Sequence, residues 1–317
     1  MTREERVLFS ISVDRAKGLE LGPLTAPVVE KDQGTIFYVD HMSQAELKKK
    51  YANEPVDLDK IVPVDFILKD KTLQQAVEGR KFDYVIASHV VEHIPDTISW
   101  LKDVSRVLKP AGVLSLVIPD KRFTFDVSRQ ETSPAETIGA YLDQLVKPSS
   151  AMMYDFARNY VPNVDTAKAW LDPKKYTSKK IAQRWTPAEA YEMCKQSLDP
   201  DQYVDSHCLV FTPASFIEVL REIITQGLLD FEVSYFLETQ EYELEFYVSL
   251  RKLKSGPKRQ QQQLDSLPGL SKPVNPEKEL NHQITMLQQE VHLLKRSFSW
   301  RVTKPIRKIK SAAKKLR

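Results

Sequence analysis

The sequence is short of cysteine and glycine, and it has no apolar run of membrane-spanning length. Its two cysteines, Cys194 and Cys208, make neither a disulfide framework nor a CxxC metal pair, so a reducing, cytoplasmic setting is expected. Glycine occurs nine times in 317 residues and never as the GxGxG run that cradles a nucleotide. The opening Met1-Thr2-Arg3-Glu4-Glu5-Arg6 is mixed in charge and lacks the apolar stretch of a signal peptide. Acid is missing from residues 295–317, which carry ten Lys and Arg; the residues before them hold 36 basic and 43 acidic groups, a net of −7. The formal +3 of the chain therefore conceals a mildly acidic body with a basic tail.

Against these absences stands one organised stretch, Lys17 to Pro27. Gly18-Leu19-Glu20-Leu21 has the composition of a short buried strand, and Gly22-Pro23 turns the chain where a small residue lets the backbone approach a ligand. The next apolar run, Thr35 to Asp40, closes on a carboxylate, where open α/β sheets hold a ribose diol. Further strands are expected at Ile61–Ile67, with Pro63 marking an edge, at Phe82–Ser88 and at Val113–Pro119. Ser43 and Glu46 make a capping box for a helix reaching Tyr51. After Asp96, the residues Ile98, Leu101, Val104, Val107 and Leu108 share one helical face, which Lys109-Pro110-Ala111-Gly112 ends. Residues 1–17 carry no expected chemistry, and their Val7, Leu8, Phe9 and Ile11 are expected to pack on the first strand.

The series Phe82-Asp83-Tyr84-Val85 to Glu92-His93, followed by Leu101 to Leu108 and Lys109-Pro110-Ala111-Gly112, closely resembles class I S-adenosylmethionine-dependent methyltransferases of the methyltransferase type 11-like group. The resemblance covers about Gly18 to Asp120, and Cys208 to Lys252 more loosely. It implies an α/β fold with a Rossmann-like, seven-stranded, mostly parallel sheet and one antiparallel strand. A hairpin at 229–237 and 242–250 would complete that sheet. The resemblance also implies S-adenosyl-L-methionine as cofactor. Glu20 and Gly22 would then face its methionine end, Asp40 the ribose and Asp65 the adenine, while the backbone of Ala87, Ser88 and His89 would line its exposed side. In this chain the family's glycine-rich loop is reduced to Glu20-Leu21-Gly22-Pro23. A non-catalytic, methyltransferase-like scaffold in a glycan-assembly complex is therefore the alternative to an enzyme.

His89, Glu92 and His93 fall at i, i+3 and i+4, a spacing that brings side chains to one side of a helical turn. One reading makes His93, His89 or His207 a catalytic base near an acceptor hydroxyl. Another joins His89, Glu92, His93 and His207 as ligands of a divalent metal. That set is similar to the Glu-x-x-Glu-His and distant His of small-RNA 2′-O-methyltransferases and, in part, of ubiquinone-biosynthesis O-methyltransferases. A packing or hydrogen-bonding role is the third reading. Lys121 and Arg122, just past the fifth strand, are candidates for gripping an anionic acceptor. An ion pair with Asp120 or Asp126 is the plainer role for Arg122.

The expected organisation is a methyltransferase domain at 1–253, a linker at 254–276, a short coiled-coil helix at 277–298 and a basic amphipathic tail at 299–317. Within the domain, 121–205 is an aromatic-rich insert with helical patterning near 134–146, 150–160 and 187–196, expected to cap the site and exclude water. Thr212-Pro213 then opens a helix ended by Gly227. Residues 254–276 are rich in Gln, Pro, Ser and Lys. Leu280, Ile284, Leu287, Val291, Leu294 and Phe298 form a heptad seam suited to a homo-oligomer or a partner helix. The basic tail suits peripheral contact with the inner face of an anionic membrane, and lacks the aromatic interleaving of a nucleic-acid binder. Ser297-Phe298-Ser299-Trp300 and the residues after it resemble tails of bacterial glycosyltransferases and polysaccharide-modifying enzymes. The expected acceptor is accordingly a hydroxyl on a surface-glycan or lipid-linked sugar intermediate.

Overall fold

The computed structural model describes residues 1–172, 175–176, 183–199, 204–254, 256–257 and 259–269. The chain divides into one unit at Met1–Pro268 and another at Gly269–Arg317. The coiled coil expected at 277–298 and the tail at 299–317 lie outside the described residues.

Seven strands, β1 (Lys17–Leu21), β2 (Thr35–Asp40), β3 (Phe66–Ile67), β4 (Phe82–Ser88), β5 (Leu108–Pro119), β6 (Phe231–Leu237) and β7 (Glu245–Lys252), form one sheet ordered β3-β2-β1-β4-β5-β7-β6. Strands β1 to β5 pair in parallel, and β7 runs antiparallel to both β5 and β6. This is the Rossmann-like methyltransferase fold that the sequence led us to expect. Strand β3 is shorter than the expected 61–67 because Pro63 has no N–H to pair and Val62 N donates instead to Leu24 O. Conversely, β5 begins at Leu108, which leaves the helical face assigned to it.

Among the described residues the helices are α1 (Arg3–Val7), α2 (Gln44–Lys50), α3 (Leu73–Ala76), α4 (Thr97–Val107), α5 (Pro134–Leu142), α6 (Ser150–Asn159), α7 (Thr166–Leu171), α8 (Pro187–Gln196), α9 (Pro213–Thr225) and α10 (Arg259–Asp265). Capping boxes at Ser43, Ser133, Thr186 and Thr212 start α2, α5, α8 and α9, each satisfying backbone N–H groups that a helix start leaves unpaired. Helices α5, α6 and α8 of the 121–205 insert fall where the patterning placed them, and α7, started by Asp165 accepting from Lys168 N, is one the patterning did not place.

Alternation along the strands sends side chains into two cores. In the first, Leu19, Ala87, Leu116 and Val248 cluster with Ile98 and Leu101 of α4 and Phe216 and Leu220 of α9, each of these side chains larger than alanine contributing roughly 1.5–3 kcal/mol. In the second, Ile36, Tyr38, Tyr84, Ile86 and Tyr247 cluster with Val7, Val28 and Val29. Helix α1, the residues after it and the β1–β2 connection supply that second cover. The connection, residues 22–34, contains turns and bends but no helix. Close contact takes the helix's place: a Cβ on Gly18 would sit 2.1 Å from the Tyr84 ring, so only glycine fits beneath it. Phe9, expected on the first strand, is 58 % exposed and stacks on Tyr235 of β6, ring centroids 4.1 Å apart.

The expected linker at 254–276 is not all linker. Helix α10 packs on β6 and α9, Gln263 Nε2 donates to Leu229 O and Phe231 O, and Leu267 joins the first core. Gln263 thus completes backbone carbonyls at the sheet edge and Gln260 those of Ile224 and Thr225 at the end of α9, and the compact unit continues to Pro268 rather than ending at Leu253.

Candidate functional site

Strands β2 and β4 flank β1, so the chain leaves β1 in one direction and later returns on the other side. Ligands bind open α/β sheets at such a switch point, beyond the carboxyl ends of the strands. The register places Leu21 opposite both Val39 and Ala87, so Gly22, Asp40 and Ser88 follow one another at the same sheet end. Gly22 has a φ of +60°, donates its N–H to Val39 O, and an added Cβ would face only Val90 at 3.9 Å. A left-handed residue without a side chain thus leaves the mouth of the β1–β4 cleft open, which fits close approach of a nucleotide-like ligand. Asp40 is buried, with Oδ1 accepting from His41 N at 2.7 Å. Ser88 Oγ accepts from Arg3 Nη2 at 2.9 Å, and Ala87 is fully buried in the strand.

Two acids from the sequence reading sit differently from expectation. Glu20 does not face a ligand: it is 1 % exposed, and its carboxylate accepts from Val28 N at 2.8 Å and Val29 N at 3.3 Å. Strand alternation turns it under the helix-free connection, which it holds in place. Burial pushes its carboxyl up to about 7, against the lowering effect of those two N–H groups and of Arg3. Asp65 Oδ2 accepts from Tyr38 N at 2.7 Å and Lys31 Nζ at 2.6 Å, so that oxygen is committed to the sheet edge rather than to an adenine. A cavity of about 440 Å³ lies nearby, between Thr25, Pro27 and Lys31 of the connection and Lys60, Val62 and Pro63 before β3. None of the candidate site residues lines it.

Past β4 the chain makes a turn of 3₁₀ helix at Val91–His93. The Glu92 carbonyl accepts from both Cys208 N (2.7 Å) and Leu209 N (3.0 Å), which pins the segment before α9 against this turn. His207 is thereby brought to His93, their ring centroids 4.7 Å apart. Glu92, His93 and His207 each place a ligand atom within 4.8 Å of the others. His89 is not in this group. It adopts a φ of +53°, uncommon for a side-chain-bearing residue, and its Nε2 turns to Glu245 Oε2 at 2.7 Å, leaving Nδ1 3.6 Å from Glu92 Oε1. The four-residue cluster of the sequence reading is therefore a three-residue cluster with His89 beside it.

Each imidazole has a carboxylate partner. His93 Nδ1 lies 2.9 Å from Asp205 Oδ1; burial lowers its pKa, but Asp205 and Glu92 outweigh that and hold it above the usual histidine range. His207 Nδ1 lies 2.6 Å from Asp126 Oδ2, and Arg129, 3 % exposed, donates to Asp126 Oδ1 at 2.8 Å and Asp155 Oδ2 at 2.7 Å. Burial would raise the Asp126 carboxyl; its bond to His207 and the Arg129 charge bring it below the usual range. Glu245 collects His89, Arg3 Nε at 2.7 Å and Tyr247 OH at 2.7 Å, and these contacts overcome burial to push it down to about 2. Buried Cys208, its thiol pushed up to about 12 by burial, stays protonated.

Neither candidate for an anionic acceptor points outward unengaged. Lys121 Nζ donates to Val127 O at 3.1 Å, and burial lowers its pKa. Arg122 pairs through Nε and Nη2 with both oxygens of Asp120, which is fully buried and also accepts from Thr239 Oγ1 at 2.7 Å. The plainer role, an ion pair with Asp120, is the one observed. The sequence reading named Asp126 only as a partner for Arg122, whereas it pairs with His207 and Arg129; it missed Arg129, whose i, i+3 spacing from Asp126 is a weak signal, and Arg3, Glu245 and Tyr247, for which no local pattern exists.

The strand order is that of a Rossmann-like, seven-stranded sheet with one antiparallel strand. Residues 18–114, from the second residue of β1 into β5, match a protein-family model described as a methyltransferase domain. A curated relative, a ubiquinone biosynthesis O-methyltransferase of Histophilus somni, is 27 % identical over 154 residues, 44 % of this chain and 62 % of the relative. The chain thus spans less than two thirds of that relative's length. Among solved structures, a putative S-adenosylmethionine-dependent methyltransferase of Listeria monocytogenes is 12 % identical with a TM-score of 0.38, over 79 % of this chain and 98 % of its own. A putative zinc-dependent alcohol dehydrogenase of Rhodobacter sphaeroides is 11 % identical with a TM-score of 0.42, over 80 % and 91 %. At such scores the structural likenesses add nothing to the strand order itself.

Proposed function

We propose that the chain transfers the methyl group of S-adenosylmethionine to an acceptor hydroxyl. The carrying observation is that the matched methyltransferase segment, 18–114, brings Gly22, just past β1, together with Asp40 and Ser88, the last residues of β2 and β4, at the sheet's switch point. Bound S-adenosylmethionine supplies a methyl group on a positively charged sulfur, which a nearby oxygen can displace. The protein's own task is then positioning and proton removal. Gly22 gives the cofactor room, and Asp40 is placed to accept hydrogen bonds from a ribose. His89, oriented by Glu245, and His93, oriented by Asp205, are imidazoles set to receive the acceptor's proton. Choice of an oxygen acceptor is supported by the Histophilus somni relative, an O-methyltransferase. A glycan or lipid-linked sugar acceptor is supported only by the composition of residues 297–317.

Calorimetry of the full chain with S-adenosylmethionine and S-adenosylhomocysteine tests the reading. Asp40→Ala should weaken both by about 1 kcal/mol or more, at least roughly fivefold, through loss of charge-assisted hydrogen bonds. No binding at millimolar cofactor would leave a methyltransferase-like scaffold as the function.

A further inference from the structure

Glu92 poses a physical problem. It is 1 % exposed, and among the described residues neither carboxylate oxygen has a hydrogen-bond partner. A buried carboxylate in that condition costs several kcal/mol unless something neutralises it. His89 Nδ1, at 3.6 Å, is too far for a hydrogen bond, and the strongest contact of His89 is to Glu245. The groups that do converge on Glu92 are His93 and His207, all three ligand atoms within 4.8 Å.

Both imidazoles are already held by a carboxylate at Nδ1, His93 by Asp205 and His207 by Asp126. A carboxylate on one ring nitrogen orients metal-ligating histidines, and in this cluster each residue offers one ligand atom. Arg129 fixes Asp126 in turn, so the His207 ring rests on a buried, ion-paired support. We propose that Glu92, His93 and His207 hold a divalent transition-metal ion, with at least one coordination position left for the oxygen of the acceptor. Two imidazole nitrogens and one carboxylate are a donor set suited to zinc, manganese, cobalt or iron. Modest side-chain rotation contracts the present spacing toward the ~3.3 Å edge of a tetrahedral site with bonds of ~2.05 Å. The cation neutralises Glu92 and lowers the pKa of an acceptor hydroxyl bound to it. His89, outside the cluster and on Glu245, is then the imidazole left to take the proton. Only this role toward the acceptor rests on the methyl-transfer reading; the cation site does not.

The test uses the full chain, stripped with a chelator and titrated with cobalt(II) by visible spectroscopy and with zinc(II) by calorimetry. One cation per chain is expected, with visible bands of low-symmetry cobalt. Glu92→Gln and His207→Ala should each weaken uptake at least tenfold, and Asp126→Asn, acting through the His207 ring, by roughly tenfold. Wild-type protein that takes up no cation while still binding S-adenosylhomocysteine would overturn the metal and leave methyl transfer standing. In that case the neutralising group is a protonated His93, seen as an imidazole titrating above the usual range by NMR. Cation uptake unchanged in Glu92→Gln and His207→Ala would place the ion elsewhere and equally overturn the proposal. The wild-type titration needs no variant to fold.

Discussion

Glu20 shows how one buried proton can govern a loop. Its carboxyl is pushed up to about 7 in the folded chain, against a usual value of 4.5. Between those values the folded state holds a proton that the unfolded chain has released, so stability falls as pH rises. The contribution is fully present below pH 4.5 and is lost through about pH 7. Glu20→Gln, which cannot ionise, should therefore show a smaller loss of melting temperature than wild type between about pH 5 and about pH 8. Parallel melting curves for the two proteins across that range would show that Glu20 is not the titrating group. At this scale the sequence was informative where chemistry is contiguous: Glu92 and His93 stand together, and Gly22 and Asp40 each close an apolar run. It was silent where partners are distant. Asp126 meets His207 across 81 residues and Arg3 meets Glu245 across 242, pairs that only the finished sheet creates.

Among elements, the long apolar strands and the capped helices were legible because period and cap agree at each of them. Helix α10 was not, because its composition resembles a spacer: residues 260–263 are all glutamine. An amide side chain both donates and accepts, so it serves as well at the edge of a sheet as in water. Gln263, 1 % exposed, and Val233 N donating to Ser266 Oγ at 2.9 Å show which use it has here. A chain ending at Leu253 should consequently be less stable than one ending at Pro268 by roughly 2 kcal/mol or more, from the apolar burial of Leu264 and Leu267 alone. Urea denaturation midpoints compare the two. Equal midpoints would return α10 to the linker.

For the whole molecule, charge is divided between a body of net −7 and a segment, 295–317, with ten positive charges and no acid. The full chain should bind anionic vesicles at low salt, each basic residue near the surface contributing about 1 kcal/mol, and release them as salt rises. The chain ending at Pro268 should not bind. If both sediment with vesicles alike, the body and not the basic segment makes the contact. The N-terminus has a different consequence. Arg3 and Arg6 of α1 bond to Glu245 and Glu243, at the start of and just before the final strand of the sheet to be synthesised. During translation α1, which precedes every strand, must wait for these partners until β7 has been added beside β5. Loop closure over so long a separation is slow, and the second core stays partly uncovered in the meantime. A segment made before the whole sheet is thus among the last to dock on it, and the shell around Ser88 and His89 is completed only when it arrives.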